Sequence, residues 1–350
     1  MKVWTADRSL RAIFATAIIA AIMVSFLPED PGLRFQQLDN TEYRNLRWIY
    51  ERTHLDPRAI DVAILGSSRI ETGVDARRLE ASFRAAGVPV NVENFGIPYN
   101  GRDLDLTIAR ELLATKRPRV LVIGVPERPS QRTHVTYKYV ASSRDIVGSV
   151  VRGNIDYLAD LAYLPYRHMK IFWSGLTHQP ADPVKAGNEM HFDPGMTYNR
   201  EPGGRWRVDY PQRGTGDIVA GARRSLTQGS AGALAKVEPI AAISAERRNI
   251  TAIAALAKAR GTAVVFLFIP QFMSDGELAE RAFYRRQGPL LDASFVATHV
   301  DLYSSWGHLN ARGAAVVDDW LYRQLVDRGT LSSRPSRPSL MSGGERPRAR

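Results

Sequence analysis

From Asp61 onward, short runs rich in β-branched residues alternate with segments whose apolar residues recur every three to four positions. A chain with that rhythm is confined to βαβ units, helices packed on a mostly parallel sheet. Strands are expected over residues 62–65, 89–94, 120–125, 263–269 and 295–302. Helices are expected over 76–86, 103–115, 241–260 and 310–327. The expected fold class is therefore α/β, a three-layer, doubly wound, flavodoxin-like sheet of about five parallel strands. One stretch, about 128–236, breaks the rhythm and is rich in Gly, Pro, Tyr, Trp and His. It reads as an irregular insertion after the third strand, and its aromatic and polar mixture near residues 188–195 and 203–211 is of the kind that stacks on sugar rings.

The N-terminus has a different character. Residues 12–27, AIFATAIIAAIMVSFL, carry no charge and follow Lys2, Arg8 and Arg11. At about sixteen residues the run lies between a signal-peptide core and a full membrane span. No small-x-small cleavage site follows it cleanly, so an uncleaved signal-anchor in the cell inner membrane is expected. The positive-inside rule would then leave the main domain in the periplasm or outside the cell. The organisation expected is a membrane segment over 1–30, one α/β domain over 31–330 and a tail over 331–350.

The formal net charge of +11 raises the question of an acidic partner. Much of that charge sits at the ends, in the N-terminal basic residues and in Arg334, Arg337, Arg346, Arg348 and Arg350 of a Ser/Pro/Gly-rich tail without apolar periodicity. Nucleic acid is therefore not an expected partner. The absence of cysteine excludes disulfides, thiolate metal sites and cysteine nucleophiles. The histidines lack metal-ligand spacing to one another, so no metal is expected, and no cofactor fingerprint is present.

The first strand runs into Gly66-Ser67-Ser68-Arg69, which puts two hydroxyls at the carboxyl end of a central strand, where open α/β sheets place their sites. It is not the Gly-x-Ser-x-Gly elbow, because Ile70 stands where the second glycine would be. Taken alone, the segment fits a turn that caps a helix as well as it fits a nucleophile. Arg69 is a candidate contact for an anionic substrate group, or else the partner of a carboxylate.

Further segments follow in order: Asn94-Phe95-Gly96, then Ile123-Gly124-Val125-Pro126-Glu127, then His308-Leu309-Asn310-Ala311-Arg312-Gly313-Ala314. Together with Gly66-Ser67-Ser68 they resemble the four blocks of the SGNH/GDSL hydrolase superfamily. The Gly-Ser-Ser-Arg and His-Leu-Asn-x-x-Gly-Ala forms are similar to membrane-anchored SGNH proteins of bacterial exopolysaccharide acetylation. The likeness spans roughly residues 61–328, with the insertion unmatched.

The resemblance implies Ser68 as nucleophile and His308 as its base. It also implies an oxyanion hole from the N–H groups of Ser68 and Gly96. The reaction implied is acyl transfer from esters, most simply acetyl esters, of cell-surface or secreted polysaccharide. Water as acceptor makes the chain an esterase, and a sugar hydroxyl makes it an O-acetyltransferase. The partners implied are the acylated polysaccharide or an acyl-donor membrane protein. Two positions depart from the pattern: Ser305 stands where the family has an Asp three residues before the His, and Pro126 where it has an oxyanion-hole Asn. Asp301, Glu127, a backbone carbonyl or Ser305 could orient the imidazole instead, with Asp301 the expected member, and Asn100 could supply an amide donor. From another class, a non-catalytic protein of this fold would bind glycan or scaffold a polysaccharide modification complex.

Overall fold

The computed structural model describes residues 3–38, 43, 45–99, 101–129, 133–177, 211–228, 238–329 and 331. Helices α1 (Val3–Val24), α2 (Pro31–Gln36) and α3 (Asn45–His54) precede the sheet. Strand β1 (Val62–Gly66) then leads into α4 (Ser68–Gly73) and α5 (Ala76–Ala85). Strand β2 (Val92–Gly96) is followed by α6 (Arg102–Thr115), and β3 (Val120–Val125) by the inserted α7 (Tyr137–Val140), α8 (Ser143–Val147), α9 (Tyr157–Thr177) and α10 (Thr215–Gln228). Helix α11 (Glu238–Ala259) returns the chain to β4 (Ala263–Phe268), α12 (Arg281–Gln287) and β5 (Leu290–Asp292). A two-stranded antiparallel hairpin, β6 (Tyr303–Ser305) and β7 (His308–Leu309), precedes α13 (Ala311–Asp327).

The five strands form one parallel sheet in the order β2-β1-β3-β4-β5, the flavodoxin-like order, in which the strand sequence reverses beside β1. Every residue of β1, β2 and β3 is buried, as a sheet covered on both faces requires. The two-residue period of a strand divides the core in two. Leu65, Phe95, Ile123 and Phe266 face α3, α6 and α11, whereas Ile64, Val92, Val122 and Leu267 face α5 and α13.

The second expected strand begins three residues later than the pattern indicated. The larger departure is the last strand: residues 295–302 are not a sheet strand, and β5 lies at Leu290–Asp292 with short 3-10 turns at Ser294–Val296 and Val300–Leu302. Gly288 allows this placement, because a Cβ there would stand 2.6 Å from the Val264 carbonyl oxygen of β4. Asp292 Oδ1 then takes the Ser294 N–H at 3.0 Å and turns the chain away. The insertion, expected to be irregular, is mostly helical in its described parts, with the four helices α7 to α10, a 3-10 turn at Gly148–Arg152 and short loops. Residues 188–195 and 203–210, read as sugar-stacking, lie outside the described residues, as does the tail beyond 331.

Candidate active site

The turn after β1 divides its two hydroxyls between structure and chemistry. Ser67 is the N-cap of α4, with the Arg69 N–H at 3.4 Å from its Oγ. Ser68, one residue on, turns its Oγ to His308 Nε2 at 2.9 Å. Gly66 permits the tight passage, with φ of 149° and Ile70 so near that a Cβ would stand 2.7 Å from its Cγ1. Ile70, in the place of the elbow's second glycine, lies over Gly124 of β3, where a Cβ would come within 2.1 Å of the same atom. The glycines of the first and third blocks thus make room for the side chain that seats α4.

Asn94 secures the same helix. Its buried side-chain amide donates to the carbonyls of Ile70 at 2.9 Å and Val74 at 2.8 Å, and its Oδ1 accepts the Gly96 N–H at 2.9 Å. Gly96 packs so closely on α4 that a Cβ would lie 2.6 Å from the Glu71 nitrogen. The expectation that the Gly96 N–H serves an oxyanion hole is therefore corrected: that donor is engaged by Asn94, and the glycine is required for close approach. Ser68 opens α4, and its N–H has no i−4 carbonyl to bond. Asn100 lies outside the described residues.

His308 is carried by the β6–β7 hairpin, whose register pairs it with Ser305. The hairpin is fixed to α13 by Asn310, the N-cap, whose Oδ1 accepts the Gly313 N–H at 3.0 Å while its Nδ2 donates to the Asp301 carbonyl at 2.9 Å. Gly313 lies against this turn, where a Cβ would come within 2.2 Å of the Leu302 carbonyl oxygen. Ser305 Oγ stands 2.9 Å from His308 Nδ1. Asp301, the expected acid, does not take that place: its carboxylate pairs with Arg312 Nη1 at 2.7 Å on the surface. Asp301 is expected at the end of a last strand, but it lies in the 3-10 turn Val300–Leu302, which directs its side chain outward to α13.

Arg69 pairs with Glu127, and Glu127 Oε1 also accepts the Gln271 N–H at 2.9 Å. These contacts tie the start of α4 to the loops after β3 and β4. Burial, and after it the Arg69 guanidinium, push His308 down from 6.5 to about 4. The imidazole is therefore neutral at neutral pH. With Nδ1–H donating to Ser305, Nε2 would be left to accept the Ser68 proton.

The dyad opens into a cavity of about 600 Å³. Tyr99, Arg69, Glu127 and Trp306 form parts of its wall, and the inserted α10 contributes Ser225 and Leu226. Gly221 of α10 lets the Trp306 indole lie against the helix, where a Cβ would be 2.5 Å from its Cδ1. Tyr99 is held at φ of 68°, in the left-handed region. Trp306, Tyr99 and Gln271 were not anticipated as site residues. Trp306 had the clearest signal, as an aromatic two residues before the motif histidine. Among the described residues, no group of three or more His, Asp or Glu side chains is placed to hold a metal ion.

Compared with known proteins, the chain matches no protein-family model, no curated protein and no solved structure.

Proposed function

We propose that this chain is an SGNH-like serine acyl hydrolase or O-acyltransferase, tethered to the inner membrane by α1, that acts on acyl esters of cell-surface or secreted polysaccharide. The observation that carries the reading is the 2.9 Å contact between Ser68 Oγ and a neutral His308 at the wall of an open cavity. In this mechanism Ser68 Oγ attacks the ester carbonyl as His308 Nε2 takes its proton. The Ser68 N–H supports the developing oxyanion. The same imidazolium then protonates the leaving alkoxide, and the acyl group passes from Ser68 to water or to a sugar hydroxyl. The polysaccharide, the acetyl group and the periplasmic setting rest on the likeness of the four sequence blocks. The tether rests on the apolar run of α1, although no described helix meets the length and polarity expected of a membrane span.

One observation favours the non-catalytic alternative, a glycan-binding or scaffolding protein: a hydroxyl, not a carboxylate, faces His308 Nδ1. A fluorophosphonate probe separates the two, because it phosphonylates only an activated serine. The enzyme reading expects a single adduct on the peptide containing Ser68, lost in His308→Ala. An unmodified wild-type protein at millimolar probe would favour the scaffold.

A further inference from the structure

Helix α9 buries one face against the body of the protein, and its opposite face is apolar. Asp160, Leu164, Arg167, His168 and Ile171 are buried. On the other side Leu158, Tyr166, Met169, Trp173 and Leu176 are exposed, with Leu158 at 77%, Trp173 at 63% and Leu176 at 65%. At about 100° per residue these five fall within a sector of roughly 80°, a continuous stripe along the helix. Lys170 is the only exposed charged side chain on α9.

What would cover that stripe is indicated by its neighbour. Helix α1 packs along α9, and its own apolar side chains, among them Ile13, Phe14, Ile18, Ile19 and Met23, are exposed on all sides. A helix apolar all round calls for an apolar surrounding. The two helices are clamped where α1 ends. Arg167 Nε lies 2.7 Å from Glu29 Oε1, and its Nη1 donates to the Lys138 and Ala141 carbonyls, each at 2.8 Å. His168 Nδ1 meets the Leu27 carbonyl at 2.9 Å, and its Nε2 meets Ser143 Oγ at 2.7 Å. Arg167 is fully buried, so this joint fixes the direction of α1 against α9. A membrane that receives α1 therefore has α9 held beside it. Trp and Tyr on the apolar face with Lys at its border is the composition of a helix lying in a bilayer interface.

From this geometry we infer that α9 is a second membrane contact: its stripe of Leu158, Tyr166, Met169, Trp173 and Leu176 lies in the interfacial layer of the membrane that holds α1. The inference rests on the proposed tether, and it adds that the inserted segment, not α1 alone, sets how the domain sits on the lipid.

The chain has no cysteine, so single-cysteine variants of the full-length protein report cleanly. Met169→Cys and Leu176→Cys probe the stripe, Ile18→Cys probes α1, and Val316→Cys on the exposed side of α13 is the aqueous control. Each carries an NBD label in phosphatidylcholine/phosphatidylglycerol vesicles containing doxyl-labelled lipid. The stripe sites should be quenched by the doxyl lipid within about twofold of Ile18→Cys and shielded from iodide, while Val316→Cys shows the reverse. Stripe sites open to iodide while Ile18→Cys is quenched by lipid would overturn the docking of α9 and leave the tether standing. Stripe sites shielded from iodide but not quenched by lipid would overturn it in favour of a second copy of the chain. Iodide access at both the stripe and Ile18→Cys would remove the tether as well.

Discussion

Ser305 Oγ stands 2.9 Å from His308 Nδ1, on the side of the imidazole opposite the edge that meets Ser68. A hydroxyl can accept the Nδ1 proton and so hold the tautomer and the ring plane. It brings no negative charge to stabilise the imidazolium that forms when Ser68 loses its proton. In other serine enzymes, loss of the orienting carboxylate alone lowers kcat by about 10⁴-fold. The Ser68–His308–Ser305 arrangement should therefore run well below a full triad but above a bare serine.

Variants at Ser305 test this directly. Ser305→Ala removes the hydroxyl acceptor of the Nδ1–H and should lower kcat by about 10- to 100-fold, in keeping with the 1.5–3 kcal/mol of a hydrogen bond to a charged group. Ser305→Asp should act in the opposite direction, raising kcat by about 10-fold or more and raising the His308 pKa, as an adjacent carboxylate favours the cation. Steady-state kinetics with an NMR titration of His308 read both effects. If Ser305→Asp raised the pKa without accelerating turnover, charge at this contact would not limit the reaction and the His308 imidazolium would not form in its rate-determining step.

The pH dependence follows from the burial of His308. Its folded value is about 4 against 6.5 for an exposed histidine, so the base form persists through mildly acidic pH. The kcat/KM profile should be flat down to about pH 5 and fall through pH 4. Arg69→Gln, which removes the nearby positive charge and leaves Glu127, should move that limb upward. Stability has the same sign: between pH 6.5 and 4 the unfolded chain binds a proton at this position that the folded chain does not. Stability contributed here is thus complete above 6.5 and declines as pH falls toward 4. Denaturant titrations at pH 7 and pH 5 should show a smaller loss in His308→Gln than in the wild type.

Much of this organisation was legible from the sequence. The wholly buried strands β1 and β3 and the mostly buried β4 announce themselves as apolar, β-branched runs, and amphipathic α5, α6 and α13 lie within a residue of their expected bounds. The pairing of Ser68 with His308, 240 residues apart, was anticipated from four short segments. The failures have local causes. The segment 295–302 has strand composition, but the close approach of Gly288 to β4 places the pairing residues earlier. Asp301 sits near the end of the expected last strand, and no sequence pattern tells that a 3-10 turn carries it to Arg312. The helices of the insertion were missed because residue types common in loops obscured the stripe of α9. Asn94 was noted only as the head of a block, although an amide on a fully buried strand must find hydrogen-bond partners.

Those partners make Asn94 a positioning residue for Ser68. Asn94→Leu would remove the amide's bonds to the Ile70 and Val74 carbonyls and to the Gly96 N–H, at a cost of about 1–3 kcal/mol in folding stability. Gly96→Ala should displace α4 through contact with Glu71, costing about 1–3 kcal/mol. Either variant should lower kcat more than it raises KM, because α4 carries Ser68, the proposed nucleophile. A variant stable at the assay temperature with unchanged kcat would show that Ser68 does not depend on this support.

The most direct measurement is ester turnover by the full-length chain in detergent, using short-chain aryl acetates with and without an acetylated polysaccharide, beside Ser68→Ala, His308→Ala and the double variant. The account predicts turnover in the wild type that falls by about 10³-fold or more in each single variant, with the double variant no slower than either. Transfer to added sugar hydroxyls would identify the acceptor. Turnover of the wild type equal to that of the variants, across several acyl donors, would contradict the assignment of Ser68 and His308 as a catalytic pair.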